Sequence, residues 1–184
     1  MTAREKILES PVSQLRIIRY PDPRLRELCT AVEDVDEAVV ALAERMLELM
    51  FAGRGVGLAA PQAGVTVRLF VASPTFDPSD RRVYINPEIL SSDGTQDGDE
   101  GCLSFPGIFS KVKRANLATV RALGLDGEVF EETGEELTAR IFQHEIDHLD
   151  GRLLVDRMGS VSRLANRRAL KELESEFEAV GDRG

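Results

Sequence analysis

Apolar side chains recur at helical spacing in three stretches of this chain, and in several shorter ones they alternate or run together. Over residues 34–51, Val35, Val39, Leu42, Met46 and Leu49 fall on one side, with Glu37, Glu44, Arg45 and Glu48 between them. That spacing predicts a long amphipathic helix, halted by Gly53 and Gly55. Residues 66–72 and 82–85 are rich in β-branched and aromatic side chains and predict strands, with a Pro/Asp/Ser loop at 73–80 between them. Residues 117–122 and 128–131 predict two more strands around the hairpin signal Gly124-Leu125-Asp126-Gly127. Residues 15–20 predict a short strand, stopped by Tyr20-Pro21-Asp22-Pro23. A second helix is predicted over about 134–150 with Gly151 as its stop, and a third, highly charged, over about 160–179 with a thin stripe of Leu164, Leu170, Leu173 and Phe177.

The polar segments read as connections: residues 1–14 as a flexible leader and 91–99 as an acidic, glycine-containing loop. Helices separated by antiparallel strand pairs imply an α+β fold rather than a doubly wound parallel sheet. The organisation is then one domain: leader 1–14, core 15–158, and a charged C-terminal helix and tail at 159–184. No apolar run approaches the roughly 20 residues needed to span a bilayer, and nothing in the leader resembles a secretory signal. The net charge of −9 argues against nucleic acid or an anionic membrane as main partner. Two cysteines are too few for a disulfide scaffold, so a reducing cytoplasm is the expected compartment.

The candidate chemistry sits on the second helix. Its segment His144-Glu145-Ile146-Asp147-His148 holds both histidines of the chain. With His144 at 0°, His148 falls at about 40°, Leu137 at about 20° and Ile141 at about 60°, all on one stripe. Phe142, Ile146 and Leu149 fall at about 140–200°, on the other side. A helix apolar on two faces belongs in the middle of its domain, so the first stripe would carry a metal beside an apolar substrate surface while the second packs the core. Two imidazoles one turn apart can share one ion, with Glu145 as a carboxylate able to take a proton from water there. A catalytic site of this kind needs a third protein ligand and one open position. No histidine follows His148, but upstream stands Glu100-Gly101-Cys102-Leu103-Ser104, whose thiol suits a soft or borderline metal. Cys29, beside Arg26, Glu27 and Thr30, reads as a small buried hydrophobe. A third constellation, Gly55-Val56-Gly57-Leu58-Ala59-Ala60-Pro61-Gln62, lacks the Lys-Ser/Thr ending of a phosphate-binding loop. Its small residues would instead let a substrate backbone approach closely, with Gln62 offering an amide donor to an oxyanion.

In this order, the three segments closely resemble the signature motifs of the bacterial-type peptide deformylases, and the resemblance extends from Ile18 to about Asp156. It implies removal of the formyl group from N-formylmethionine on nascent polypeptides. It also implies Cys102, His144 and His148 as metal ligands, Glu145 as general acid/base, and Gln62 with the Leu103 backbone N–H as oxyanion donors. The expected ion is divalent, Fe2+ by the resemblance, with Zn2+, Ni2+ or Co2+ able to replace it. Val56, Leu137, Ile141 and the stem of Arg140 would line the methionine pocket, Gly55, Val56 and Gly57 would pair with the peptide backbone, and Glu100 would pair with Arg114 to hold the cysteine loop. The ribosome near its exit tunnel is a candidate further partner. Two rivals remain at this point: a zinc endopeptidase of the HExxH type with an acidic third ligand after His148, and a closed structural zinc site built from Cys29, Cys102, His144 and His148.

Overall fold

The computed structural model describes residues 1–181. Among these residues are six α-helices and seven strands: α1 (Ala3–Leu8), α2 (Glu37–Ala52), β1 (Gly57–Ala59), β2 (Leu69–Ala72), β3 (Arg82–Asp93), β4 (Gln96–Cys102), β5 (Phe105–Arg114), β6 (Leu117–Leu123), β7 (Val129–Glu135), α3 (Glu136–Leu149), α4 (Leu154–Arg157), α5 (Ser160–Ala165) and α6 (Arg167–Gly181). β1-β2-β3-β6-β7 form one antiparallel sheet and β4-β5 a separate hairpin. The fold is α+β, with α3 in the middle.

Each helix buries the face its sequence offers. α2 starts at Asp36, whose side chain accepts from the N–H groups of Ala38 and Val39, and it buries Val39, Leu42, Met46 and Met50 against β1 and β2. α3 sends Phe142, Ile146 and Leu149 into the sheet, where Phe142 meets Tyr84 edge-on at 5.4 Å and Tyr84 stacks on Phe70 at 4.4 Å. The hairpin closes a third cluster, in which Phe105, Ile108 and Val112 pack on Leu153, Leu154, Leu170 and Leu173. Gly151 ends α3 at φ 70°, and a Cβ there would run into the Arg26 carbonyl. Only glycine fits that turn.

Several expectations need correction. The flexible leader is in fact a capped helix: Thr2 and Glu5 form a capping box, and Ala3 and Ile7 are buried against α2. A helix of six residues buries only these two apolar positions, too few for a periodic signal. Residues 15–20 are extended but join no sheet; Ile18 N–H donates to the Gln62 carbonyl and Tyr20 N–H to that of Ser104. The acidic loop at 91–99 is mostly strand, because β3 runs on to Asp93 and β4 begins at Gln96. Backbone pairing holds these residues while their side chains face water, which erases the apolar alternation. β5 had no expected counterpart at all. The last helix breaks at Asn166 into α5 and α6; Leu170 and Leu173 are buried whereas Leu164 and Phe177 stay exposed. Residues 182–184 of the expected tail lie outside the described part.

Candidate metal centre and active site

α3 and the end of β4 bring the chemistry together. His144 and His148 sit one turn apart with ring centroids 5.0 Å apart, and β4 ends on Cys102, whose Sγ lies 3.3 Å from His148 Nε2. One ligand atom from each of Cys102, His144 and His148 can be chosen so that all lie within 4.8 Å of one another. A tetrahedral ion with ordinary metal–sulfur and metal–nitrogen bonds holds such atoms about 3.5 Å apart. The three donors therefore fit one ion, and their mixed sulfur and nitrogen chemistry suits a borderline divalent metal. Among the described residues, no fourth His, Cys, Asp or Glu joins this group. Cys29 is elsewhere, packed near Leu149, its thiol pKa pushed up to about 12 by burial. That removes the closed four-ligand site.

The imidazoles are held differently. His144 Nδ1 lies 2.9 Å from Glu100 Oε2, which leaves Nε2 free to face the ion. Burial opposes a charge on His144, yet the neighbouring Cys102 and Glu100 outweigh it and hold its pKa well above the usual value. Burial, and next His144, push His148 well below its usual range, which favours the neutral imidazole that a metal would need. Glu100 is itself the acceptor for Arg114 (Nε 2.8 Å, Nη2 3.0 Å) and for Arg140 Nη1 at 2.8 Å. Burial works against its charge, but His144 and Arg114 together keep its carboxyl well below the ordinary carboxylate range. The Glu100–Arg114 pair thus ties β4 to β5 beside the thiol.

In front of the ion site opens a cleft of about 360 Å³. The glycine segment supplies Gly55, Val56, Gly57 and Gln62 to its wall, α3 supplies Leu137, Arg140, Ile141, His144 and Glu145, and the hairpin supplies Glu100, Cys102 and Leu103. His148 and Arg114 lie behind this wall. The Arg140 guanidinium is turned away into Glu100 and the Val112 carbonyl, so only its stem is available to the cleft. Gln62 is fixed by its carbonyl, which accepts from Ala59 N–H at 2.8 Å; its amide nitrogen therefore faces Cys102 Sγ and Ser104 Oγ, both at 3.3 Å. Glu145 is fully enclosed, and burial pushes its carboxyl up to about 7. Its Oε2 is buried without a partner among the described residues, as a group awaiting water or substrate would be.

Gly57 explains why Glu145 can sit there, since a Cβ at that position would overlap the carboxylate and press on Ile141. Gly57→Ala is expected to displace Glu145 and lower turnover by about 10²-fold, with little change in metal content; steady-state kinetics and metal analysis check both.

Three residues had been given no role from the sequence. Ile108 and Phe109 of β5 line the cleft mouth, from a stretch whose apolar residues follow Pro106-Gly107 and look like a turn. Asp147, inside the motif itself, points back to Arg114 rather than to the ion.

The sequence profile of the polypeptide deformylases matches residues 14–164. A peptide deformylase of Acidobacterium capsulatum is 46% identical over 160 residues, 86% of this chain and 94% of that protein. The crystal structure of a Legionella pneumophila peptide deformylase superposes with a TM-score of 0.82 at 44% identity, covering 92% of this chain and 99% of the other. Arabidopsis thaliana peptide deformylase 1B, solved with an inhibitor, gives 0.86 at 39% identity, over 90% and 93% of the two chains. With its thiol and paired imidazoles converging on one point and this match along most of its length, the chain belongs to the polypeptide deformylase family.

Proposed function

We propose that this chain is a metal-dependent hydrolase that removes the formyl group from the N-terminal formylmethionine of nascent polypeptides and releases formate. The observation that carries the reading is the convergence of Cys102, His144 and His148 beside an enclosed, partnerless Glu145 oxygen. A bound divalent ion supplies Lewis acidity and makes water a nucleophile near neutral pH. The rest falls to the protein.

Glu145 takes a proton from the attacking water and passes it to the leaving amine, work suited to a carboxyl whose pKa lies near 7. The Gln62 amide, held by its carbonyl, and the Leu103 backbone N–H meet the charge that develops on the formyl oxygen. Val56, Leu137, Ile141 and the Arg140 stem receive the methionine side chain. β1 is an edge of the five-stranded sheet, so Gly55, Val56 and Gly57 can take the substrate backbone as an added strand. Fe2+ is the native ion in this reading. Residues 15–158 carry the activity, with the C-terminal helices part of the same domain. No helix among the described residues is long and apolar enough to cross a membrane; the reading places the work in the cytoplasm. The charged outer face of α6, with Arg167, Arg168 and Lys171, is the surface offered to the ribosome near its exit tunnel.

Formate release from formyl-Met-Ala-Ser by anaerobically purified protein tests the reading. Turnover that a chelator abolishes and Fe2+ restores supports it; cleavage of an internal peptide bond with no formate released overturns it in favour of an endopeptidase.

A further inference from the structure

Behind the metal ligands, charged side chains form a continuous line from the surface inward. Arg157, on α4, grips Asp147 with its fork: Nε lies 2.9 Å from Oδ2, and Nη2 bonds Oδ1. Asp147 accepts Arg114 Nη1 at 2.5 Å. Arg114 forks onto Glu100, which accepts from His144 Nδ1 at 2.9 Å. So Arg157 stands four links from the imidazole and outside all three signature segments. Its backbone is fixed without help from α3. Leu153, Leu154 and Val155 are buried, and Asp156 caps the Leu153 N–H at 2.8 Å and pairs with Arg26. The Arg157 side chain remains partly open to solvent, at 39% exposure.

We propose that Arg157 is a positioning residue for the metal centre, holding Asp147 so that Arg114 stays squarely on Glu100 and His144 keeps its Nε2 turned to the ion. The inference rests on the metal-site reading above but not on the substrate. Two buried carboxylates, Glu100 and Asp147, share three cations, Arg114, Arg140 and Arg157, and only Arg114 touches both. Without Arg157, Asp147 keeps Arg114 as its single close cation. The shared guanidinium is then drawn toward Asp147, its fork on Glu100 loosens, and the acceptor that orients His144 moves with it. Arg152 does not share the grip: its side chain is 60% exposed and stays 3.9 Å from Asp147, beyond hydrogen-bond reach. Asp147 also lies one residue before His148, so the same tether sets the rotation of α3 relative to Cys102.

The experiment compares Arg157→Ala, Arg157→Lys and Arg152→Ala with the parent protein. It reads the Co2+ dissociation constant by chelator competition, the visible spectrum of the Co2+ form, and kcat and KM separately. A group hydrogen-bonded directly to a ligand costs about 10–100-fold when removed, so one further out is expected to cost about three- to tenfold in Co2+ affinity. Arg157→Ala should show that loss, a shifted cobalt band and a lower kcat with KM nearly unchanged. Arg157→Lys should recover part of it, because the charge returns without the fork. Arg152→Ala should match the parent. Unchanged Co2+ affinity and spectrum in Arg157→Ala overturn the proposal. So does a lowered melting temperature with the cobalt spectrum intact, which would mark a packing role alone. A parent that binds Co2+ tightly but releases no formate would sink the deformylase reading and leave the positioning role to be judged on the cobalt data.

Discussion

Glu145→Ala is expected to lower formate release by roughly 10²–10⁴-fold while the protein still folds and still binds its ion. The carboxylate is no ligand in this arrangement; Cys102, His144 and His148 are the convergent set. Removing it takes away the proton carrier and nothing that holds the site. Truncation also relieves a cost, because the carboxyl is enclosed and burial pushes its pKa up to about 7. The variant should accordingly be at least as heat-stable as the parent. Parallel measurement of kcat, metal content and melting temperature separates the cases. Retained turnover removes Glu145 from the mechanism, and lost metal would mean that it is structural.

Arg114→Ala should be the most damaging single change to stability. Arg114, Glu100 and Asp147 have side-chain exposures of 4%, 3% and 9%. Deleting the cation leaves two buried carboxylates short of their shared partner. Breaking a buried ion pair from one side costs about 3–5 kcal/mol, a fall in melting temperature of roughly 10 °C in a chain of this size. The deficit should depend on pH in a definite direction. Glu100 is held below its usual pKa of 4.5, with His144 and Arg114 overcoming the burial penalty. Its charge therefore adds stability above that value and loses it as the pH falls through the lowered one. The gap between parent and variant should be widest near neutrality and narrow in acid. A constant gap would mean that Arg114 acts by packing alone. Melting curves of the metal-free proteins, taken across pH, make the comparison.

The parts of this fold that were legible in the sequence are those whose side chains follow one rule at a time. α2 shows apolar residues at helical spacing because it buries one face, α3 shows two apolar stripes because it is buried nearly all round, and the β6–β7 turn is announced by Gly124 and Gly127, the latter at φ 79°. The convergence of Cys102, His144 and His148 was legible because a thiol and two imidazoles in fixed segments have few other uses. The β4–β5 hairpin was not. In β5 the inward positions are Phe105, Ile108, Ser110, Val112 and Arg114, so a serine and an arginine occupy sites where alternation would demand apolar groups. Arg114 faces inward because Glu100 and Asp147 await it there, which is a tertiary fact with no local trace. The same holds for Arg157, ten residues beyond Asp147 and unremarkable in its own segment. The helix α1 hid for a different reason, since six residues cannot display a period.

X-ray absorption at the metal edge of anaerobically purified protein tests the central claim most directly. The account predicts a single ion with one sulfur at about 2.3 Å and two imidazole nitrogens at about 2.0–2.1 Å, completed by an oxygen that exchanges with solvent. The sulfur should vanish in Cys102→Ser and persist in Cys29→Ser. A first shell of nitrogen and oxygen only, or one closed by a fourth protein side chain, would contradict it.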